Sequence, residues 1–195
     1  MRVVSPPELD EGAVVAALVA EDPRPIVEAV VAEAPGFYAW WARPERLVDA
    51  TPPIPLVHPP GASDEWALLY VGIAPKRPSK TGVDRTIAAR VSKDHRGGNI
   101  GGSTFRQSLA ALVREHVGLV AKSGHGRARL VDEKPLSVWI DTNCALTIAL
   151  TAKPWSIEDG VIRELCAPLN LRPGYHGFRF HVHEARAALR RDCGL

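Results

Sequence analysis

Apolar positions along this chain fall into short continuous runs and into helical spacings, and the two alternate. Residues 37–41, an aromatic-rich run of Phe37-Tyr38-Ala39-Trp40-Trp41 after a Pro35-Gly36 break, read as a strand. The nearly continuous apolar run 66–72 reads as a second, central strand, and 145–151 as a third. Residues 8–34 predict one or two short helices interrupted at Pro23 and Pro25. Val83, Ile87 and Val91 predict a helix from 83 to about 95, with Asp84 in its first turn. A further helix starts at Ser103 and runs through Leu109, Leu112 and Val113, a short one covers 136–143, and a terminal one covers 181–191. Between these lie a proline-rich loop at 43–65, a basic loop at 75–82 and a glycine loop at 96–102. The order implies an α/β (α+β) fold: a small three-stranded, mainly antiparallel sheet flanked by helices. Residues 1–34 are expected to form a helical extension, 35–175 the main domain, and 176–195 a helix packed on it.

Composition narrows the class without naming a function. The chain has 195 residues, 46% hydrophobic and 24% charged, a balance that suits one ordinary globular core. No apolar run approaches the roughly 20 residues a membrane-spanning helix needs. Glu8, Asp10 and Glu11 precede the apolar stretch 13–20, where a secretory signal would carry basic residues, so a cytoplasmic protein without a membrane partner is expected. The three cysteines lack any C-x-x-C pair and match neither a disulfide framework nor a standard zinc pattern. Net charge is +2, but residues 76–134 hold thirteen Lys and Arg against five Asp and Glu, a surplus of +8, and the remainder carries −6. Such a segment points to a face for a polyanion, with a solvated surface as the alternative.

The stretch 156–170 carries candidate chemistry. Val161, Ile162 and Leu165 form one apolar stripe of a short helix that stops before Pro168, and Glu158 falls on that stripe. A carboxylate facing inward needs a partner, because an unpaired buried charge is very costly; a metal ion is one such partner. Helix capping is the alternative, but Ser156 and Asp159 already form an S-x-x-D pattern of the capping-box kind. In the helix from 83, Arg90 lies on the side of Ile87 and Val91 while Arg85 points away, so Arg90 suits either a phosphate pocket or a salt bridge to Asp94.

In chain order these pieces are Gly36-Phe37-Tyr38, Tyr70-Val71-Gly72, an arginine on the next helix, and Glu158 followed twelve positions later by Asn170 in Pro168-Leu169-Asn170. The arrangement resembles the GIY-YIG nuclease superfamily over about residues 35–171. Residues 39–69 separate the two tripeptides more widely than in that pattern, and Ile73 stands where a lysine often follows the second, with Lys76 positioned to substitute.

The resemblance implies a metal-dependent endonuclease acting on DNA, or alternatively RNA, with no organic cofactor. It implies Tyr38, Tyr70, Arg90, Glu158 and Asn170 as the site residues. Glu158 would hold one Mg²⁺ or Mn²⁺, Arg90 would stabilise the phosphate, Tyr38 or Tyr70 would activate water, and Asn170 would orient its neighbours. The alternative is a catalytically inactive nucleic-acid-binding module of the same fold. Lys76, His95, Arg96, Ser103 and Arg106 are the candidates for nucleic-acid contact. Ser103 and Arg106 open a helix whose amides suit a phosphate, and His95, at the edge of its helix's apolar face, is an auxiliary or a surface residue. Trp40 and Trp41 suit either base stacking or a core.

Overall fold

The computed structural model describes residues 6–77, 85–123, 126–171 and 177–195. Its centre is a four-stranded antiparallel sheet in which residues 24–25, 144–150, 36–42 and 67–74 lie side by side in that order. The strands are β1 (Arg24–Pro25), β2 (Gly36–Ala42), β3 (Ala67–Ala74) and β6 (Cys144–Leu150). A separate ribbon pairs β4 (Ala121–Lys122) with β5 (Arg129–Leu130). The three expected strands are present. The fourth, β1, is too short to leave a period-2 signal, and it adds two residues to the β6 edge opposite Leu146 and Ala145.

Every residue of β2 and β3 is buried, which requires both sheet faces to be covered. Phe37, Ala39 and Trp41 of β2 pack with α1 (Glu11–Ala20) and α5 (Glu158–Leu165) through Val14, Leu18, Val161, Ile162 and Leu165. Tyr38, Trp40 and Ala42 enter the opposite core, built on α3 (Thr104–Val117), α4 (Lys134–Asn143) and α6 (Phe178–Asp192). Both tryptophans belong to these cores. Trp40 stacks on Phe105 at 4.7 Å, and Trp41 Nε1 donates to Thr147 Oγ1. A single-turn helix, α2 (Pro44–Leu47), interrupts the proline-rich loop.

Between Trp40 and Trp41 the β2–β3 register shifts, leaving Leu69 as the extra residue opposite them. This bulge turns Leu69 and Tyr70 to the same core. Tyr38 lies opposite Gly72, and its ring occupies the space of a side chain there: a Cβ on Gly72 would fall 2.5 Å from the ring. The glycine of the second tripeptide therefore exists to seat the tyrosine of the first. Gly36 is needed likewise, since its Cβ would meet Ala149 O at 2.3 Å.

The helix expected from 83 is a π-helical segment, Ala89–Arg96; Val83 and Asp84 lie outside the described residues. The capping box expected at 156–159 does not form. Ser156 Oγ donates to Lys153 O within a 3-10 turn, and α5 begins at Glu158 with no side-chain cap. After α5, Cys166 adopts a left-handed φ of 50°, which turns the buried segment 167–170 along β3.

Candidate active site

A cleft of about 510 Å3 opens at the β3 edge, where the α5 layer meets the start of α3. It is bordered by Tyr70 and by Lys76 and Arg77 just past β3, by Thr104 from α3, by Glu158 and Ile162 from α5, and by Asn170. The segment after α5 closes its floor. Leu169 N donates to Leu69 O of the bulge, and the Asn170 side chain takes the place of a fifth strand. Asn170 Oδ1 accepts from Val71 N and its Nδ2 donates to Val71 O, each at 2.8 Å. An edge strand presents unpaired backbone groups, and this amide satisfies both of Val71's. Asn170 thus holds Val71, between Tyr70 and Gly72, in place.

Tyr70 is 7% exposed and borders the cleft, whereas Tyr38 is fully buried behind it. Burial pushes the Tyr70 hydroxyl up to about 12; Arg90 and Arg186 act in the opposite direction, and the Glu158 carboxylate adds to the rise. Tyr38 is raised further, by burial first and then by Tyr70, with Arg90 opposing. Tyr70 thus senses both Arg90 and Glu158, and Tyr38 senses Tyr70 and Arg90. The four groups, up to 120 positions apart in the chain, share one electrostatic neighbourhood.

Arg90 is 8% exposed, and its Nη1 donates to Asp94 Oδ2 at 2.6 Å. Arg85 meets the other oxygen of the same carboxylate at 2.9 Å, so the two arginines converge on Asp94 rather than facing opposite ways. Burial works against the Arg90 charge, but Tyr38 and Asp94 outweigh it and its pKa is raised. Arg90 Nε is buried with no hydrogen-bond partner among the described residues. Glu158 is half-buried at the first turn of α5.

His95 is not at the surface. It is fully buried, with Nε2 2.8 Å from the Tyr38 hydroxyl and Nδ1 2.7 Å from Ser103 Oγ. Burial first, then Arg90, Arg106, Lys76 and Arg85, lower its pKa well below the usual histidine range, so the ring is neutral. Ser103 also accepts from Arg106 N and caps α3. Arg106 itself is fully enclosed, contrary to its expected place facing nucleic acid. Its Nη1 donates to the carbonyls of His95 and Arg96 and to Ser137 Oγ, and its Nη2 to Glu133. It ties the glycine loop to α4. The signal was in the sequence: Phe105, Leu109, Ala110, Leu112 and Val113 make α3 apolar almost all round, so it is a central helix and a cation within it is internal. Arg96 pairs with Asp141 at 2.7 Å, while Lys76 is exposed at the cleft.

Of the catalytic candidates, Tyr70, Glu158 and Asn170 border the cleft, while Tyr38 and Arg90 are buried and do not line it. Of the contact candidates only Lys76 borders the cleft, and His95, Ser103 and Arg106 lie inside as supports. Arg186, from the terminal helix, reaches Tyr70's surroundings and matches none of the motifs. Among the described residues no helix is long and apolar enough to cross a membrane.

Residues 36–191 match the family model described as the GIY-YIG catalytic domain. No curated protein and no solved structure gives a significant match. With its two tripeptides on paired strands, its glutamate helix and its asparagine on the sheet edge, and with a family match spanning most of its length, this chain belongs to the GIY-YIG family and has its nuclease-type fold.

Proposed function

We propose that the protein is a divalent-metal-dependent endonuclease that hydrolyses phosphodiester bonds of DNA. One observation carries this reading: the Tyr70 hydroxyl and the Glu158 carboxylate of the two family motifs border one cleft, together with the cations Lys76 and Arg77 and with Asn170.

Each group has a task its surroundings suit. Asp94 fixes one edge of the Arg90 fork. The positive charge of Arg90 would stabilise the negative charge that builds on the phosphate. Tyr70 borders the cleft and, in its ionised phenolate form, takes the proton of the attacking water; Tyr38, bonded to His95, stays buried behind it.

Glu158 fits a Mg²⁺ or Mn²⁺ site of the sparse kind. Among the described residues no three metal-ligating side chains gather, which disfavours an all-protein cage, whereas one carboxylate completed by waters and substrate oxygens is a set Mg²⁺ accepts. When bound, such an ion supplies positive charge to the phosphate and eases the ionisation of a nearby hydroxyl.

The test is cleavage of supercoiled plasmid and of labelled oligonucleotides with Mg²⁺ or Mn²⁺, and again with EDTA. Wild type should cut only with metal, and Glu158→Gln should lose roughly 100-fold or more in rate while keeping its Tm. Equal cutting by a folded Glu158→Gln protein removes Glu158 from the mechanism. Salt-sensitive binding without any cutting would identify a binding module, the reading to which Ile73 in place of a lysine lends weight.

A further inference from the structure

The position directly after the second tripeptide carries no cation in this chain. Ile73 stands there, inside β3 and buried in the core beneath α1 and α5. The strand ends at Ala74, and the first cations past it, Lys76 and Arg77, are exposed on the border of the cleft. The first turn of α5 borders the same cleft with Glu158 and Asp159. One element therefore brings positive charge and the other negative, with Tyr70 and Asn170 alongside. Arg85, Arg90, Arg96, Arg106 and Arg114 each pair with an Asp or Glu, whereas Lys76 and Arg77 form no ion pair among the described residues.

Arg90, the arginine of the motif order, is placed differently. It is 8% exposed, Asp94 Oδ2 holds its Nη1 at 2.6 Å, and it does not border the cleft. Its charge acts through the wall, but an anion entering the cleft meets Lys76 and Arg77 first. A phosphodiester presents a pair of charged oxygens. A guanidinium offers them a planar fork of N–H donors, whereas an ammonium is a single compact charge. Arg77 is thus the group on the cleft border able to hold a phosphate in one orientation.

We propose that Arg77 grips a phosphate of the substrate strand directly through its guanidinium fork, with Lys76 adding charge beside it, and that Arg90 acts on that phosphate from behind the cleft wall without touching it. This rests on the nuclease reading and deepens it, by moving the direct phosphate contact from the π-helical segment to the chain leaving β3. The contact is to the sugar–phosphate backbone, so it contributes affinity and register, not base preference.

The experiment is fluorescence anisotropy with a fluorescein-labelled DNA duplex and a single strand of the same sequence, in EDTA, over a salt series. Arg77→Gln should bind about tenfold more weakly, and the slope of log affinity against log salt should fall by about 1, with Tm unchanged because the residue is exposed. Wild-type affinity and slope in Arg77→Gln would overturn the proposal. So would an equal loss in Arg46→Gln, an exposed arginine of α2 that does not border the cleft, since the effect would then be one of net charge. If Arg77→Gln folds poorly, Arg77→Lys keeps the charge and removes the fork. A wild-type slope with binding about threefold weaker then supports the fork contact, and full wild-type affinity overturns it. Absence of both binding and Mn²⁺-dependent cutting in wild type would sink the nuclease reading itself, a result distinct from failure of Arg77 alone.

Discussion

Tyr38 closes the first tripeptide and Tyr70 opens the second, and the protein gives the two tyrosines different surroundings. Tyr38 is sealed under Gly72 and bonded to a neutral histidine; Tyr70 stands at the cleft with Glu158. With the Tyr70 hydroxyl near 12, only a small fraction is ionised at neutral pH, and that fraction grows tenfold per pH unit. If Tyr70 takes the water's proton, the log of the cleavage rate should rise with a slope of about 1 on the alkaline side of neutral. Tyr70→Phe should lower the rate by about 10²–10⁴ and flatten the profile. A Tyr70→Phe enzyme that keeps both the slope and most of the rate would move the task to Tyr38. Both tyrosines were readable from the motif order. Their division of labour was not, because it depends on a one-residue bulge that no residue type announces.

Among the elements, β3 and the segment after α5 act as a unit. The strand is at the sheet's edge, and the Asn170 amide supplies the pairing that a neighbouring strand would otherwise give Val71. Asn170→Ala should leave two buried backbone groups unpaired, at about 1–3 kcal/mol each, lowering Tm and cutting activity through misplacement of Tyr70. Chemical denaturation and the cleavage assay measure the two effects, and unchanged stability would refute the strand-like role. The Glu-to-Asn spacing was legible as a pattern; its purpose, a side chain mimicking a strand, required knowing that β3 has no strand on that side. The π-helical segment was legible only as a helix, since its apolar spacing fits either geometry. Its C-terminal turn is what turns His95 in towards Tyr38.

For the molecule as a whole, the buried His95 links protonation to folding. Its native pKa lies well below the unfolded value near 6.5, so above that value neither state binds the proton and its contribution is fully present. As pH falls below about 6.5, the unfolded chain takes up a proton that the native site, facing Arg90, Arg106, Lys76 and Arg85, refuses. Stability is then lost at up to about 1.4 kcal/mol per pH unit. Thermal unfolding should show Tm falling from pH 7 to 5, and falling less in His95→Gln; parallel curves would exclude His95 as the cause. The basic surplus of residues 76–134 likewise changes meaning in three dimensions. Arg85, Arg90, Arg96, Arg106 and Arg114 are ion-paired, so charge counted along the chain overstates what faces a polyanion. Local patterning was enough to foretell the three long strands, most helices and the order of the motif residues, because strand runs, helical spacing and proline or glycine breaks act over a few neighbours. Which cations are interior, which tyrosine meets solvent, what Asn170 holds and where Arg186 reaches were settled by folding, because each depends on groups dozens of positions away brought within a few ångströms.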